Sequence, residues 1–148
     1  MEDNFVLPKV EQVAIIVDDL ESTAAFLSSS LGIESFRISE RSGPVTVNGK
    51  STRAKRRLGI ATMGGIDLEL IQPMETGTPY YSFIKSRGSG LQHIRFAPVA
   101  DLKQTVAYLE AKGFKLAYGG EYAGSHFAYM ESEKAKGFVL EFVQRPKS

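Results

Sequence analysis

The chain of 148 residues contains no cysteine and only two histidines. The lack of cysteine excludes disulfides, thiolate-bound zinc, iron–sulfur clusters and cysteine nucleophiles. An excess of one charge is also missing, because 18 Lys and Arg residues face 17 acidic ones, and this gives no support for nucleic-acid binding. Long apolar runs are absent, and Met1–Asn4 carries acids where a signal peptide carries bases. We therefore expect one cytoplasmic domain over residues 1–148 that has no membrane contact.

The sequence divides into two similar halves, at about 10–73 and 90–146. Each half opens with a strand-like apolar run, continues with a helical pattern that ends at a glycine, and closes with a second apolar strand. Gln12 matches His93 at the same offset at which Gly32 matches Gly113. Further strands are expected at 35–39, 50–63, 115–118 and 126–130, with turns at Gly43-Pro44, Asn48-Gly49, Gly64-Gly65 and Gly119-Gly120 and a short helix at 80–85. Each half is thus predicted to be a βαβββ module.

Four polar residues occupy matching positions on the opening and closing strands. Alternate residues of a strand share a face, and the aliphatic residues should face the helices. The opposite face then carries Gln12, Glu69, His93 and Glu141. An imidazole, two carboxylates and an amide oxygen suit a divalent cation. The residues alone leave open a solvated strand face and a structural histidine as the alternative.

Two basic features lie near these positions. The run 50–57 contains five Lys and Arg residues and no carboxylate, so it either protects a sheet edge or holds an anionic substrate group. Arg95 shares the face of His93, and a buried arginine requires a carboxylate or phosphate partner from the substrate or from the protein itself. Arg95 and Arg53 are the predicted substrate-binding residues. His126 is interpreted as an ordinary strand histidine.

The motifs together resemble the vicinal oxygen chelate superfamily, the glyoxalase/bleomycin-resistance/dioxygenase group. The resemblance is carried by Gln12–Leu20, Leu68–Pro73, Thr78–Pro79 with Phe83–Ile84, Gly88–Phe96 and Gly137–Val143. It extends from about Val10 to Val143 and is strongest to methylmalonyl-CoA epimerase and its glyoxalase-like relatives. The implied fold is α+β: two βαβββ modules that form an eight-stranded, curved, cup-like mixed sheet with helices on its convex face.

The resemblance also implies one divalent metal ion (Zn, Ni, Co or Mn) held by Gln12, Glu69, His93 and Glu141. Epimerases usually carry histidine at the position of Gln12, and glutamine there is similar to the ligand set of zinc-type glyoxalase I. Epimerases also place a catalytic glutamate on the strand before the first closing strand, where 50–57 offers no carboxylate.

The leading functional hypothesis is a metal-dependent isomerase or lyase that removes a proton next to the carbonyl of a small acyl thioester. Glu69 or Glu141 would be the base, and the substrate would be an anionic acyl-CoA or thiol adduct. One alternative is an enzyme like lactoylglutathione lyase (glyoxalase I), and another is a metal-free ligand-binding protein of the bleomycin-resistance type. The resemblance further implies a homodimer.

Overall fold

The computed structural model describes residues 5–147, so the predicted absence of a signal peptide at Met1–Asn4 concerns residues outside this range. The first module contains β1 (Val10–Ile16), α1 (Leu20–Leu31), β2 (Arg37–Val47), β3 (Lys50–Met63) and β4 (Ile66–Pro73). Helix α2 (Pro79–Arg87) connects it to the second module. That module contains β5 (Gly90–Phe96), α3 (Leu102–Ala111), β6 (Lys115–Tyr122), β7 (Ser125–Glu131), a 3₁₀ turn (Glu133–Ala135) and β8 (Val139–Gln144). No helix within residues 5–147 is long and apolar enough to span a membrane.

The eight strands form one closed mixed sheet in the order β1-β4-β3-β2-β6-β7-β8-β5. Within each module the opening and closing strands pair in parallel, and every other pairing is antiparallel. The modules meet through β1–β5 and through a short seam at which Val45–Val47 pairs with Tyr118–Gly120. The predicted α+β fold with two βαβββ modules is confirmed, and the cup is closed into a barrel by the β2–β6 seam.

Both module helices begin with the same arrangement of hydrogen bonds. Asp19 and Asp101 are the N-caps, and each side chain accepts a hydrogen bond from a backbone N–H of the first turn. A glutamine of the closing strand accepts from the first helical N–H: Gln72 from Leu20 at 2.9 Å and Gln144 from Leu102 at 2.8 Å. In the Glu-x-x-Gln sequence of each closing strand, the glutamate thus faces the inside of the barrel and the glutamine binds the start of the module helix.

Apolar residues pack on both sides of the sheet. Outside the barrel, α1 covers Leu68 and Leu70, and α3 covers Met130 and Phe142. Inside the barrel a separate cluster contains Ala14, Ile16, Val45, Ala54, Leu58, Ile71, Tyr80, Tyr118, Tyr129 and Val139. Because α2 contributes Tyr80 to this inner cluster, the connecting helix helps to fill the barrel. One part of the interior is therefore an apolar core, and the polar residues described below occupy another part.

Two of the four predicted turns lie inside strands. Asn48-Gly49 and Gly64-Gly65 are turns as expected, but Gly43-Pro44 belongs to β2 and Gly119-Gly120 to β6. Proline is tolerated at position 44 because β6 pairs only with residues 45–47, so β2 has a single neighbour there. A Cβ at Gly120 would approach the carbonyl oxygen of Pro44 to 2.8 Å. These glycines allow close strand approach and do not mark chain reversal.

Candidate active site

The four predicted polar residues converge inside the barrel, one from each of β1, β4, β5 and β8. All are buried: the exposed fraction is 2% for Gln12, 7% for Glu69, 0% for His93 and 9% for Glu141. Strand register explains the convergence, since Ala14 pairs with Glu69 on one side and with His93 on the other. These side chains therefore do not lie on a solvated face. Burial of two carboxylates beside an imidazole is costly unless a cation or a proton compensates them.

The imidazole of His93 is held by its neighbour in sequence. Nδ1 lies 2.5 Å from Oε1 of Gln92, and since a carbonyl oxygen can only accept, Nδ1 carries the proton. The register of β1 and β5 shifts between the Ala14–His93 and Ile15–Leu91 pairs, so Gln92 is the extra residue of a β-bulge. This bulge brings Gln92 beside the ring and leaves Nε2 directed into the barrel.

Nε2 of His93 faces both glutamates but satisfies neither. Oε2 of Glu141 is 2.9 Å away and Oε1 of Glu69 is 3.8 Å away. Even so, Nε2 lacks a partner with the geometry of a hydrogen bond, as does Nε2 of Gln12. Within residues 5–147, no group of three or more His, Cys, Asp or Glu side chains is arranged so that it could hold a metal ion. The donors themselves fit a divalent cation, because an unpaired imidazole nitrogen lies beside two carboxylates and an amide, and ligation would require these side chains to converge further.

Burial changes the protonation of several groups around His93. The pKa of Glu69 is raised, mainly by burial and further by the nearby Glu141, although His93 and the neighbouring Arg56 and Arg41 act in the opposite direction. The pKa values of Tyr80 and Tyr129 are raised well above the usual value, again chiefly by burial. Both phenols are therefore neutral near pH 7 and can donate hydrogen bonds.

These two tyrosines form a buried pair close to the histidine. Their hydroxyl oxygens are 2.7 Å apart, and the ring of Tyr129 lies 4.6 Å from the ring of His93 between centroids. Tyr129 pairs with Glu141 across β7 and β8, which places both side chains on the inner face. No pattern in the sequence places these tyrosines beside the candidate base.

A pocket of about 340 Å³ leads to the carboxylates from one end of the barrel. Its wall includes Gln12, Glu69 and Glu141, together with Tyr129. Five arginines also line it, namely Arg37, Arg41, Arg56, Arg95 and Arg145, against the three acids Asp67, Glu69 and Glu141. The pocket lining is therefore basic, although the whole chain has a net charge of only +1.

The predicted substrate-binding arginines have different positions. Arg95 lines the pocket. Its Nη2 lies 3.6 Å from Oε2 of Glu11, so its ion-pair partner within the protein is Glu11 and not one of the buried glutamates Glu69 and Glu141. Arg53 is exposed and lies on the opposite face of β3 from the buried Arg56. The structure therefore does not bring Arg53 to the other site residues. From the basic run it is Arg56 that enters the pocket.

Arg56 was not singled out from the basic run, although the Gly64-Gly65 turn indicates that its side chain faces inward. Gly64-Gly65 is a tight turn, so β3 and β4 pair symmetrically about it, and Ile60 lies opposite Glu69. Residues of β3 in phase with Ile60 therefore face inward, and Arg56 is one of them. His126 is exposed and lines a groove beside α3 on the outer side of the sheet, apart from these residues.

Comparison with known proteins identifies the class of this fold and site. The family model for the Glyoxalase/Bleomycin resistance protein/Dioxygenase superfamily matches residues 11–129. The chain belongs to this superfamily, and the predicted resemblance is confirmed. A search of curated proteins found no match.

Solved structures with the same fold include several methylmalonyl-CoA epimerases. One, in complex with methylmalonyl-CoA and NH4+, is 21% identical, with a TM-score of 0.72 over 95% of this chain and 96% of its own. The Mycobacterium tuberculosis epimerase is 20% identical, with a TM-score of 0.70 over 99% of this chain and 94% of its own. A hypothetical protein from Bacillus halodurans has the same identity and TM-score over 95% of this chain and 96% of its own. At these identities the likeness establishes the fold.

Proposed function

We propose that this protein is a metal-dependent isomerase or lyase that removes a proton next to a carbonyl group, similar to methylmalonyl-CoA epimerase. Its substrate is a small acyl thioester that carries an anionic group. The superfamily membership and the epimerase neighbours support the class. The observation that carries the proposal is the buried Nε2 of His93, which faces two carboxylates without a hydrogen bond.

The buried acidic groups around this nitrogen favour a metal. Nε2 of His93 lies 2.9 Å from Oε2 of Glu141 and 3.8 Å from Oε1 of Glu69, yet no hydrogen bond joins it to either carboxylate. A bound divalent cation would compensate the two buried carboxylates and would give the imidazole nitrogen a partner. Gln12, Glu69, His93 and Glu141 would hold this ion, with zinc, nickel, cobalt or manganese as candidates. When bound, such an ion polarises a substrate carbonyl.

The side chains of the barrel perform the remaining tasks. Glu141 or Glu69 takes the proton next to the carbonyl, and the raised pKa of Glu69 makes that carboxylate a stronger base than an exposed one. Tyr129, a neutral phenol beside Glu141, can donate a hydrogen bond to an oxygen that becomes negative. Arg95 in the pocket wall binds the anionic group of the substrate.

Proton exchange in deuterated water tests this function directly. Metal-loaded protein is incubated with candidate acyl-CoA compounds, or with methylglyoxal and thiols, and the proton next to the carbonyl is followed by NMR. We expect the wild type to catalyse exchange, and we expect His93→Ala to lose both the exchange and the bound metal. In Glu141→Gln we expect metal to stay bound and exchange to fall by about 100-fold or more. His126→Ala, on the outer face, is the control. Stoichiometric metal and full exchange in His93→Ala would refute the assigned site.

Two features favour other activities. Glutamine at position 12 favours an enzyme like lactoylglutathione lyase, and product formation from methylglyoxal and a thiol would identify it. The lack of a preformed metal cluster among residues 5–147 favours a metal-free ligand-binding protein of the bleomycin-resistance type. Elemental analysis of untagged protein after metal supplementation distinguishes a metalloenzyme from a metal-free binding protein. About one ion per chain supports an enzyme, and no bound ion supports the binding protein.

We also propose that the protein is a homodimer, as the superfamily resemblance implies. Light scattering at micromolar concentration should give twice the mass of the chain. A monomer under these conditions would contradict this part of the proposal.

A further inference from the structure

Two arginines face each other across neighbouring strands in the pocket wall. Arg41 of β2 and Arg56 of β3 are register partners, and both line the 340 Å³ pocket. Like charges at directly opposed positions of an antiparallel pair destabilise the sheet. Their juxtaposition inside the barrel therefore needs a compensating negative charge.

Glu69 interacts electrostatically with both arginines but forms an ion pair with neither. Arg56 is only 8% exposed, and no carboxylate among residues 5–147 lies within ion-pair distance of Arg56 or Arg41. Nε of Arg41 is buried without a hydrogen-bond partner in the same part of the chain. The guanidinium groups lie instead over aromatic rings, Arg41 at 4.3 Å from the centre of Tyr122 and Arg56 at 5.7 Å from that of Phe127. These rings orient the two cations, but a ring face does not replace a carboxylate partner.

Other basic residues on the same strand are treated differently. Lys55 and Arg57, on the outward face of β3, pair with Glu40 and Glu21 respectively. These two outward-facing cations of the run therefore have carboxylate partners, whereas Arg56, which faces the pocket, has none among residues 5–147 within ion-pair distance. A buried, unpaired guanidinium that faces a pocket is the usual arrangement of a binding site for an oxyanion.

We infer that Arg41 and Arg56 form a subsite for a compact oxyanion, a carboxylate or a phosphate group, that the substrate carries in addition to its reactive carbonyl. This inference rests on the proposed function only in treating the pocket as the substrate site. The same pocket is lined by this arginine pair and by Glu69 and Glu141, so one bound molecule can contact both the pair and a candidate base. The substrate class is thus a short, doubly functional acid.

The volume of the pocket limits the length of that molecule. At roughly 30 Å³ for each water-sized group, a 340 Å³ pocket accommodates about a dozen such groups. A short dicarboxylate unit or a small phosphate ester fits within this limit, whereas a nucleotide-bearing carrier such as coenzyme A does not. If the substrate is a coenzyme A thioester, its acyl part occupies the pocket and the carrier extends outside.

Anion binding by chelator-treated full-length protein tests the subsite without requiring metal or turnover. Inorganic phosphate and malonate are titrated by calorimetry and followed by thermal unfolding, with acetate as the singly charged comparison. We expect both phosphate and malonate to bind and to raise the midpoint, more strongly than acetate. Arg56→Met and Arg41→Met should each weaken binding by about tenfold or more, because each removes charged hydrogen-bond donors. Tight binding of phosphate alone or malonate alone identifies which oxyanion the subsite takes.

Arg53→Met is the matched comparison, since it removes the same charge from the outward face of the same strand. It should leave phosphate binding unchanged. Arg56→Met and Arg41→Met should also unfold at the same or a higher temperature than the wild type in the absence of anion, because one of two opposed like charges is gone. The subsite is wrong if the wild type binds none of these anions at millimolar concentration, or if Arg53→Met weakens binding as much as Arg56→Met does. Since no metal is present, these outcomes leave the isomerase or lyase proposal standing.

Discussion

Gln92 shows how one uncharged residue determines the chemistry of a neighbouring one. Its side chain is 6% exposed and reaches only the ring nitrogen of His93 that faces away from the carboxylates. By accepting a hydrogen bond from Nδ1–H, it favours the tautomer in which Nε2 is free to bind a cation. Gln92 is therefore a positioning residue that acts through His93.

Replacing this residue gives a test at the residue scale. We expect Gln92→Leu to weaken divalent metal binding by about 10- to 100-fold, the usual effect of losing the group that orients a metal-bound histidine. Gln92→Glu restores an acceptor and should recover most of the affinity. Nitrogen NMR of the histidine ring should show loss of the Nδ1-protonated form in Gln92→Leu alone. Unchanged affinity and an unchanged tautomer in Gln92→Leu would remove the positioning role.

The sequence predicted some site residues and not others for identifiable reasons. Gln12, Glu69, His93 and Glu141 were predictable because alternation along two repeated strands fixes which side chains share a face. The inward orientation of Arg56 could also be predicted from the Gly64-Gly65 turn. The basic run alone does not show which of its side chains face inward and which face outward. Gln92 gave no signal, since its contact depends on a β-bulge, and alternation assumes that no extra residue interrupts the strand.

At the scale of elements, the β2–β6 seam depends on glycine. Gly120 lies opposite Val45, and a Cβ there would meet the Pro44 carbonyl oxygen at 2.8 Å and a side-chain atom of Phe127 at 3.1 Å. Both the backbone of β2 and a ring of the inner wall would have to move. Glycine pairs are common in turns, so sequence patterns assign them there, whereas close packing of two distant strands leaves no local pattern.

The corresponding prediction compares two glycines. Gly120→Ala should lower the free energy of unfolding by about 1–3 kcal/mol, as overpacking does at a fully packed position. Gly65→Ala, where an added Cβ meets nothing within 4 Å, should change it by less than about 0.5 kcal/mol. Urea unfolding of both variants measures the difference. Equal stability of the two variants would mean that β2 and β6 are not in close contact at this seam.

For the whole molecule, the paired modules were predictable and the closure of the barrel was not. Each module is specified by local signals: a strand, an acidic helix start, a glycine stop and a closing strand with Glu-x-x-Gln. Closure brings Val45–Val47 against Tyr118–Gly120, segments that are distant in sequence and connected by no short turn. Such pairing is decided by packing of the whole core around Tyr80 and Tyr118, which no window of sequence contains.

The buried carboxylate also makes the stability of the whole molecule depend on pH. The folded state raises the pKa of Glu69 above its usual value of 4.5, so it binds the proton more tightly than the unfolded state does. Stability from this group is complete below that value and is lost as pH rises from there through the raised pKa. Metal-free protein should therefore unfold at a lower temperature at pH 7 than at mildly acidic pH.

Thermal unfolding of chelator-treated protein across this range measures the effect, with Glu69→Gln as the matched variant. Glutamine cannot ionise, so the stability of Glu69→Gln should vary less with pH, and the difference between the two proteins should grow between mildly acidic and neutral pH. A divalent ion should raise the wild-type midpoint more at neutral than at acidic pH, because it competes with the proton for the same carboxylate. If metal-free wild type and Glu69→Gln vary with pH in parallel, Glu69 is not the group that destabilises the empty barrel.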